Sequence, residues 1–171
     1  MDFRELIKKR RSVRKFKDEK IDSEKIKEIL SILDEIPTAG NLQSFFVYVV
    51  TDDELIKKVI SEGFMKAYFD YAPLLFVFCA HPENASKYGD RGRNLFSIQD
   101  ATIATTYVML EVVNQGLSSV WVGAFYPDVV SRLLDIPSKY LPVSILPVGY
   151  PDEEPIKKER KSINELSKWI G

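Results

Sequence analysis

The sequence has little cysteine and little histidine, and these shortages exclude several kinds of site. Among its 171 residues there is one cysteine, Cys79, and one histidine, His81. A single thiol cannot form an intrachain disulfide, and it cannot build a zinc or iron–sulfur site from thiolates. We therefore expect no metal site, and we expect a protein of a reducing, cytoplasmic compartment.

The lone histidine also limits the chemistry that side chains can perform. Any Ser-His-Asp or Cys-His arrangement would have to use His81, which precedes Pro82 at the end of an apolar run. Nothing nearby in the sequence would orient its ring, so we interpret it as an ordinary residue at the end of a strand. If the protein is an enzyme, a bound cofactor should supply the reactive group.

Excess charge and long apolar runs are missing as well. The 24 basic and 25 acidic residues leave a formal net charge of −1, which gives no overall field to hold nucleic acid or an anionic membrane. No apolar run approaches the ~20 residues of a membrane span, and the first residues do not resemble a signal peptide. We therefore expect neither nucleic acid nor a membrane as a partner. The length and the 45% hydrophobic content favour one domain over residues 1–171.

Helix and strand signals alternate along the chain. The predicted helices cover about residues 3–11, 23–36, 52–63, 95–115 and 128–134, and the predicted strands cover 45–50, 74–80, 119–122 and 143–148. The segment 81–94 is polar and rich in turn formers, which predicts the longest loop. The helix over 95–115, with Asn94 as its cap, is apolar on most sides, so it should be central or lie in an interface.

From residue 150 the composition becomes polar. The few apolar residues of this segment, Ile163, Leu166, Trp169 and Ile170, need a surface to rest on. Residues 150–171 therefore predict a tail that wraps around another surface, and not a second domain.

A basic run near the N-terminus, residues 8–15 (KKRRSVRK), has two interpretations. It could be a solvated basic face or a nucleic-acid patch. It could also be an anion site, because an extended chain after the helix would place Ser12 and Arg14 on one side. Guanidinium groups with a hydroxyl suit a phosphate monoester better than a polyanion. A second basic run, residues 157–161 (KKERK), favours a solvated surface when taken alone.

Two further stretches could offer main-chain groups to a planar ligand. Residues 37–44 (PTAGNLQS) are either a connecting loop, with Gly40 at positive φ, or a surface whose small residues let a ring approach. Residues 116–125 (GLSSVWVGAF) contain a helix end and a short strand. The pair Gly123 and Ala124 follows that strand, where free N–H groups could face a ligand.

In this order the stretches resemble the nitroreductase family of flavoproteins. The resemblance rests on RRSVRKF, PTAGNLQ, GLSSVWVGAF, LPVGYP and KKERKSI, and it covers residues 3–166. Ser44 and Phe45 stand where the family commonly has Pro and Trp, and Gly123 stands where many larger members have a glutamate. The resemblance implies an α+β, three-layer α/β/α fold with a mostly antiparallel four-stranded sheet. It replaces the parallel βαβ units that the alternation of elements would suggest.

The resemblance also implies an intertwined homodimer that binds FMN at its subunit interface, with residues 150–171 wrapping the partner subunit. The phosphate and ribityl chain would be held by Arg10, Arg11, Ser12, Arg14, Lys158 and Arg160. The other subunit would line the flavin with Pro37, Thr38, Ala39 and Asn41. The isoalloxazine would lie along Trp121, Val122, Gly123 and Ala124, with the N–H of Gly123 or Ala124 directed at N5. The family takes a ligand of the flavin pyrimidine from the region around residues 64–72, and the sequence does not identify it there.

The function that the resemblance implies is an FMN-dependent oxidoreductase. It would take a hydride from NADH or NADPH and reduce flat, electron-poor acceptors (nitroaromatics, quinones or flavins) by a ping-pong mechanism. Two alternatives come from other classes. One is a flavin-binding module without turnover, such as a redox sensor or an assembly partner, and the other is a nucleic-acid binder with a basic arm.

Overall fold

A computed structural model describes residues 2–66 and 71–171. The α-helices are α1 (Phe3–Lys9), α2 (Ser23–Ser31), α3 (Asp53–Lys58), α4 (Gly89–Arg91), α5 (Ser97–Asn114), α6 (Pro127–Leu133) and α7 (Ile163–Leu166). The strands are β1 (Phe45–Val50), β2 (Leu74–Ala80), β3 (Ser118–Ser119) and β4 (Leu141–Gly149). Short 3₁₀ turns cover Ile32–Asp34, Ala39–Asn41 and Pro82–Tyr88, and π-helical turns cover Val59–Gly63 and Gly92–Phe96.

The strands form one antiparallel sheet in the order β1-β2-β4-β3. Strand β2 is central, and all seven of its residues are buried. Its side chains alternate between the two faces, so a continuous apolar run requires cover on both sides. The resemblance predicted this antiparallel α+β arrangement and is confirmed, whereas parallel βαβ units are not present in the described sheet.

Helices cover both faces of the sheet and make the fold three layers deep. Phe76 and Phe78 of β2 pack with Ile29 of α2 and Val108 of α5 on one face. On the other face, Leu75 and Val77 lie in a second cluster, with Ile56 of α3 and Val130 of α6. Each cluster buries its apolar area away from water, which is the main favourable contribution to folding.

Several predicted segments differ from the structure, and the strand predicted over 119–122 is reduced to β3 and an isolated bridge at Val122. Residues 81–94 are not a loop: they form the 3₁₀ turn Pro82–Tyr88, then α4, then part of the π-helical turn. This segment buries few apolar side chains, so its sequence carries no clear periodicity. A Cβ on Gly92 would lie 2.0 Å from the carbonyl oxygen of Ala85, so only glycine permits this close approach. Asn94 lies within the turn and does not cap α5, which begins at Ser97.

Strand β1 was predicted to be buried, but it is the edge of the sheet and is only partly covered. It pairs with β2 alone, and Phe46 and Val49 remain exposed.

The residues that begin or end helices were predicted correctly at three places. Asp22 accepts a hydrogen bond from Glu24 N at 2.8 Å, Asp52 accepts one from Leu55 N at 2.8 Å, and Gly116 ends α5 at φ 78°.

The C-terminal segment leaves the sheet and stays on the surface. Helix α7 is held by a capping box between Ser162 and Glu165. The apolar side chains of this segment are largely exposed: Ile156 88%, Ile163 72%, Leu166 66%, Trp169 95% and Ile170 90%. Tyr107, on the outer side of α5, is also exposed. Throughout the part of the chain described, no helix combines the length and the apolar character needed to cross a membrane.

Candidate functional site

The basic run becomes an extended arm that lies beside β3. Helix α1 ends where Arg10 N donates to Leu6 O at 2.9 Å. Val13 N then donates to Ser119 O at 3.1 Å, and Ser12 forms a parallel bridge with Ser119. The side chain of Val13 is buried in the core, so its neighbours Ser12 and Arg14 face away from it, as the period of two predicts.

One cavity of about 420 Å³ brings together all the side chains that were predicted to hold a phosphate. They are Arg10, Arg11, Ser12, Arg14, Lys158 and Arg160. The tail closes the cavity from the other side, and it adds the carboxylates of Glu153 and Glu154 to the wall. Two basic runs that are far apart in the sequence thus contribute side chains to one cavity, although residues 157–161 are themselves exposed.

The charge of this cavity is predominantly positive. Five cationic side chains and two carboxylates line it. The pKa of Arg10 lies below its usual value, first because the group is partly buried and then because Arg160 and Arg11 repel its charge. An anion placed among these groups would relieve that repulsion. Guanidinium, ammonium and hydroxyl groups are all hydrogen-bond donors, which is the donor set that a phosphate requires.

After β3 the chain runs on to a second part of the site, where Val122 forms an isolated antiparallel bridge with Ile145 of β4. Val122 N donates to Ile145 O at 2.9 Å, and Ile145 N donates back to Val122 O at 3.0 Å. The side chain of Val122 is 3% exposed and lies in the core. The side chain and both backbone groups of Val122 are thus engaged within the protein, and its contact with a ligand stays a prediction.

Sheet pairing stops after Val122. Ala124 O accepts a hydrogen bond from Met65 N at 3.0 Å, but within residues 2–66 and 71–171 neither Gly123 N nor Ala124 N donates one. Gly123 is exposed, and a Cβ added to it would have only Trp121 Nε1 nearby, at 3.8 Å. Two main-chain donors without an acceptor among the described residues therefore lie close in the chain to the half-buried Trp121. Such groups can bind an acceptor atom of a ligand without first breaking a protein hydrogen bond.

The loop over 37–44 takes the strained form that its composition suggested. Gly40, Asn41 and Gln43 have φ values of 55°, 58° and 44°. Asp100 of α5 holds the loop from below: its Oδ1 accepts from Ala39 N at 2.9 Å, and its Oδ2 accepts from Ser44 N at 3.2 Å. Asp100 is 1% exposed. The sequence analysis missed this residue, although an acid within an apolar helix is a signal of a buried polar contact.

This loop contributes to a different cavity, of about 630 Å³. Its lining includes Ala39, Gly40, Tyr88, Phe96 and Ile103, and it shares no lining residue with the basic cavity. The structure of one chain therefore does not bring Pro37, Thr38, Ala39 and Asn41 to the arm. The aromatic pair Tyr88 and Phe96, whose ring centroids are 5.3 Å apart, was also missed, because Tyr88 lay in a predicted loop and Phe96 in the helix predicted after it.

The remaining candidates lie elsewhere. His81 follows β2 directly, and its pKa is lowered by burial and by Lys139, so its neutral form is favoured. Burial raises the pKa of Cys79 to about 12, which leaves the thiol protonated and unreactive.

The segment 64–72 is the region from which the family takes its pyrimidine ligand. Residues 67–70 of this segment lie outside the described part of the chain. Phe64 forms a bridge with Phe125, so the start of that segment lies beside the free amides.

The chain is an α+β protein with a predominantly cationic cavity, and comparisons with known proteins identify its class. A family model described as "Nitroreductase family" matches residues 7–69 and 60–150. A solved nitroreductase family protein from Clostridium difficile is 32% identical, with a TM-score of 0.87 over 99% of this chain and 98% of that one. A Methanothermobacter thermautotrophicus protein, named as a candidate NADH dehydrogenase/NAD(P)H nitroreductase, is 32% identical over 91% of this chain and 80% of its own length.

A third relative, from Bacillus subtilis, is named FMN reductase (NAD(P)H). It is 28% identical over 179 residues, which cover 94% of this chain and 72% of that protein. The chain belongs to the nitroreductase family. The antiparallel sheet, the basic arm and the order of the motifs are in accord with that membership.

The contact between Asp100 and the loop over 37–44 can be tested with Asp100→Asn. An amide has one oxygen, so the N–H of either Ala39 or Ser44 would lose its acceptor in a buried place. We expect the free energy of unfolding to fall by ~1–3 kcal/mol. Hydrogen exchange of those two amides should also accelerate. Asp34→Asn, at an exposed acid, is the control; equal stability of the two variants would contradict the assigned role.

Proposed function

We propose that the protein is an FMN-dependent NAD(P)H oxidoreductase that reduces flat, electron-poor acceptors such as nitroaromatics, quinones or flavins. One observation carries the proposal. The arm that lines the cationic cavity lies beside β3, and the chain after β3 leads to Gly123 and Ala124, whose N–H groups have no acceptor among the described residues. The relatives support it by their names, since one is named for FMN reduction and another for NAD(P)H nitroreductase activity. A cytoplasmic location stays a prediction.

The residues fit the two ends of FMN. Arg10, Arg11, Ser12, Arg14, Lys158 and Arg160 suit its terminal phosphate. From Ser119, beside the arm, to Gly123 the extended chain covers roughly 13 Å, at about 3.3 Å for each residue. A ligand with a phosphate at one end and a planar ring at the other could contact both regions. Trp121 would flank the ring, and the N–H of Gly123 or Ala124 would donate to an acceptor atom such as N5.

Bound FMN would supply the redox chemistry, by accepting a hydride from NADH or NADPH and passing electrons to the second substrate. The protein's own contribution is binding and orientation. The cationic cavity anchors one end of the cofactor, and the amides of Gly123 and Ala124 are donors fixed before the reaction, so they need no reorganisation. The absence of a side chain on Gly123 leaves room for both substrates to use one face in turn. Protons can come from water, because His81 lines neither cavity.

The homodimer is part of the same proposal. Pro37, Thr38, Ala39 and Asn41 lie away from the basic cavity of their own chain, so they would line the cofactor of the partner subunit. The exposed apolar residues of the segment 150–171 would cover the partner's surface, together with the outer side of α5. This arrangement would remove from water an apolar area that a single chain leaves exposed.

The phosphate assignment predicts that Arg14→Ala weakens FMN binding. Loss of one charge-assisted contact should cost ~1.5–3 kcal/mol, which is about 10- to 150-fold in Kd. Riboflavin has no phosphate, so its affinity should hardly change. Fluorescence titration of the apoprotein measures both. Arg132→Ala, at an exposed arginine of α6, is the matched control. Unchanged FMN affinity in Arg14→Ala would refute the phosphate site.

The free amides can be tested with proline, which has no N–H. Gly123→Pro and Ala124→Pro, made separately, should identify the donor: one variant should keep FMN but accept hydride from NADH or NADPH ~10²-fold more slowly. Stopped-flow absorbance measures this rate. Gly123→Ala keeps the N–H in open space and should remain active, and His81→Ala should stay within a few-fold of wild type.

Three results of that experiment would count against the proposal. Normal rates in both proline variants would remove the amides from the reaction. Loss of activity in His81→Ala would move the chemistry to a different place. A wild-type protein that binds FMN but is reduced by neither nucleotide would be a flavin-binding module without turnover.

The dimer can be tested by removing residues 162–171, which leaves Lys158 and Arg160 in place. The deleted segment contains Ile163, Leu166, Trp169 and Ile170, so we expect a stable dimer interface of more than ~2,000 Å² to be lost. Sedimentation velocity should show a dimer for the full chain and a monomer for the shortened one. Lys168→Ala in the full chain is the control and should remain dimeric. A full chain that sediments as a monomer would contradict the proposal.

A further inference from the structure

The arm and the base of the tail are joined by a short antiparallel clip. Lys17 N donates to Tyr150 O at 2.9 Å, and Asp152 N donates to Lys15 O at 2.9 Å. Between them, Phe16 forms an antiparallel bridge with Pro151. The clip brings the N-terminal half of the cationic cavity to the segment that leads to Lys158 and Arg160.

A side chain continues the clip where main-chain pairing ends. Glu153 Oε1 accepts hydrogen bonds from the N–H groups of both Arg14 and Lys15, the latter at 3.1 Å. The carboxylate therefore holds the main chain of a residue that lines the basic cavity, and Glu153 lines that same cavity. Hydrogen bonds from backbone N–H groups to an ionised carboxylate are stronger than those between neutral groups.

We propose that Glu153 is a positioning residue of the phosphate site: it fixes the main chain at Arg14 so that the guanidinium of Arg14 faces the cavity with Lys158 and Arg160. This inference rests on the proposed function. A carboxylate within a cationic cavity opposes an incoming phosphate through its charge. Because Glu153 is exposed, water and salt screen that repulsion, and the geometric effect outweighs it.

A rival role for Glu153 makes the opposite prediction. The carboxylate could act as an internal anion that competes with phosphate for the two amides. Its removal would then strengthen FMN binding, whatever residue replaced it. Glu153→Gln and Glu153→Ala separate the two roles, since glutamine keeps an oxygen that can accept from both N–H groups, whereas alanine keeps neither the acceptor nor the charge.

The experiment is a titration of the apoprotein with FMN and with riboflavin at about 0.15 M salt, which is physiological ionic strength. For Glu153→Ala we expect the FMN Kd to rise about tenfold, with the riboflavin Kd unchanged. For Glu153→Gln we expect FMN affinity equal to wild type or slightly tighter. Glu28→Ala, at an exposed glutamate of α2 that lines neither cavity, is the matched control and should not weaken FMN binding.

A double-mutant cycle tests whether Glu153 acts through Arg14. If it does, adding Glu153→Ala to Arg14→Ala should cost little further FMN affinity, because the group being positioned is already gone. Full additivity would overturn the inference, and so would tighter FMN binding by both Glu153 variants. If wild type binds FMN and depends on Arg14 while Glu153→Ala behaves as wild type, only this inference fails. If wild type does not bind FMN, the proposed function fails with it.

Discussion

Strand β2 is hydrogen-bonded along both edges and buried on both faces, and the other elements are arranged around that constraint. Its run LLFVFCA has no polar position to turn toward water, so α5 must cover one face and α3 with α6 the other. Because β1 and β4 occupy its two edges, β3 and the arm are displaced to the far side of β4. The candidate site lies at that side, where regular pairing ends after Val122.

This position explains the character of the site. Main-chain donors in the middle of the sheet are engaged in pairing, whereas at its margin the amides of Gly123 and Ala124 have no acceptor within the described residues. The arm beside β3 carries its cations at the same margin, and the clip at Lys15 and Asp152 returns the tail to them. Partial burial, and after it the repulsion from Arg160 and Arg11, lowers the pKa of Arg10, and an anion would compensate that repulsion.

The second cavity depends on a contact of another kind. Asp100 is buried beneath the loop over 37–44, and it accepts hydrogen bonds from two of that loop's amides. Three consecutive or nearly consecutive positive φ values would be costly in a free loop, so the buried carboxylate offsets part of that strain. The loop over 37–44 is thus held in one conformation at the surface. The cavity to which it contributes shares no lining residue with the basic cavity of the same chain.

Local features of this protein were predictable from its sequence, because each depends on residues only a few positions apart. The caps Asp22 and Asp52, the end of α5 at Gly116 and the run of β2 are of this kind. The antiparallel sheet followed from the family resemblance, since alternation by itself favoured parallel units. Only the tertiary structure decided that β1 is an edge, that Val122 faces the core and that 81–94 is helical.

The same physical limit applies to the site. The cationic residues could be named from two basic runs, but the contacts that assemble them leave no periodic trace in the sequence. Glu153 reaches Arg14 across 139 residues, and Asp100 reaches Ala39 across 61. Side-chain types therefore determined what the protein can bind, and the packing of distant segments decided where and in which arrangement, because such contacts depend on the position of whole elements and not on neighbouring residues.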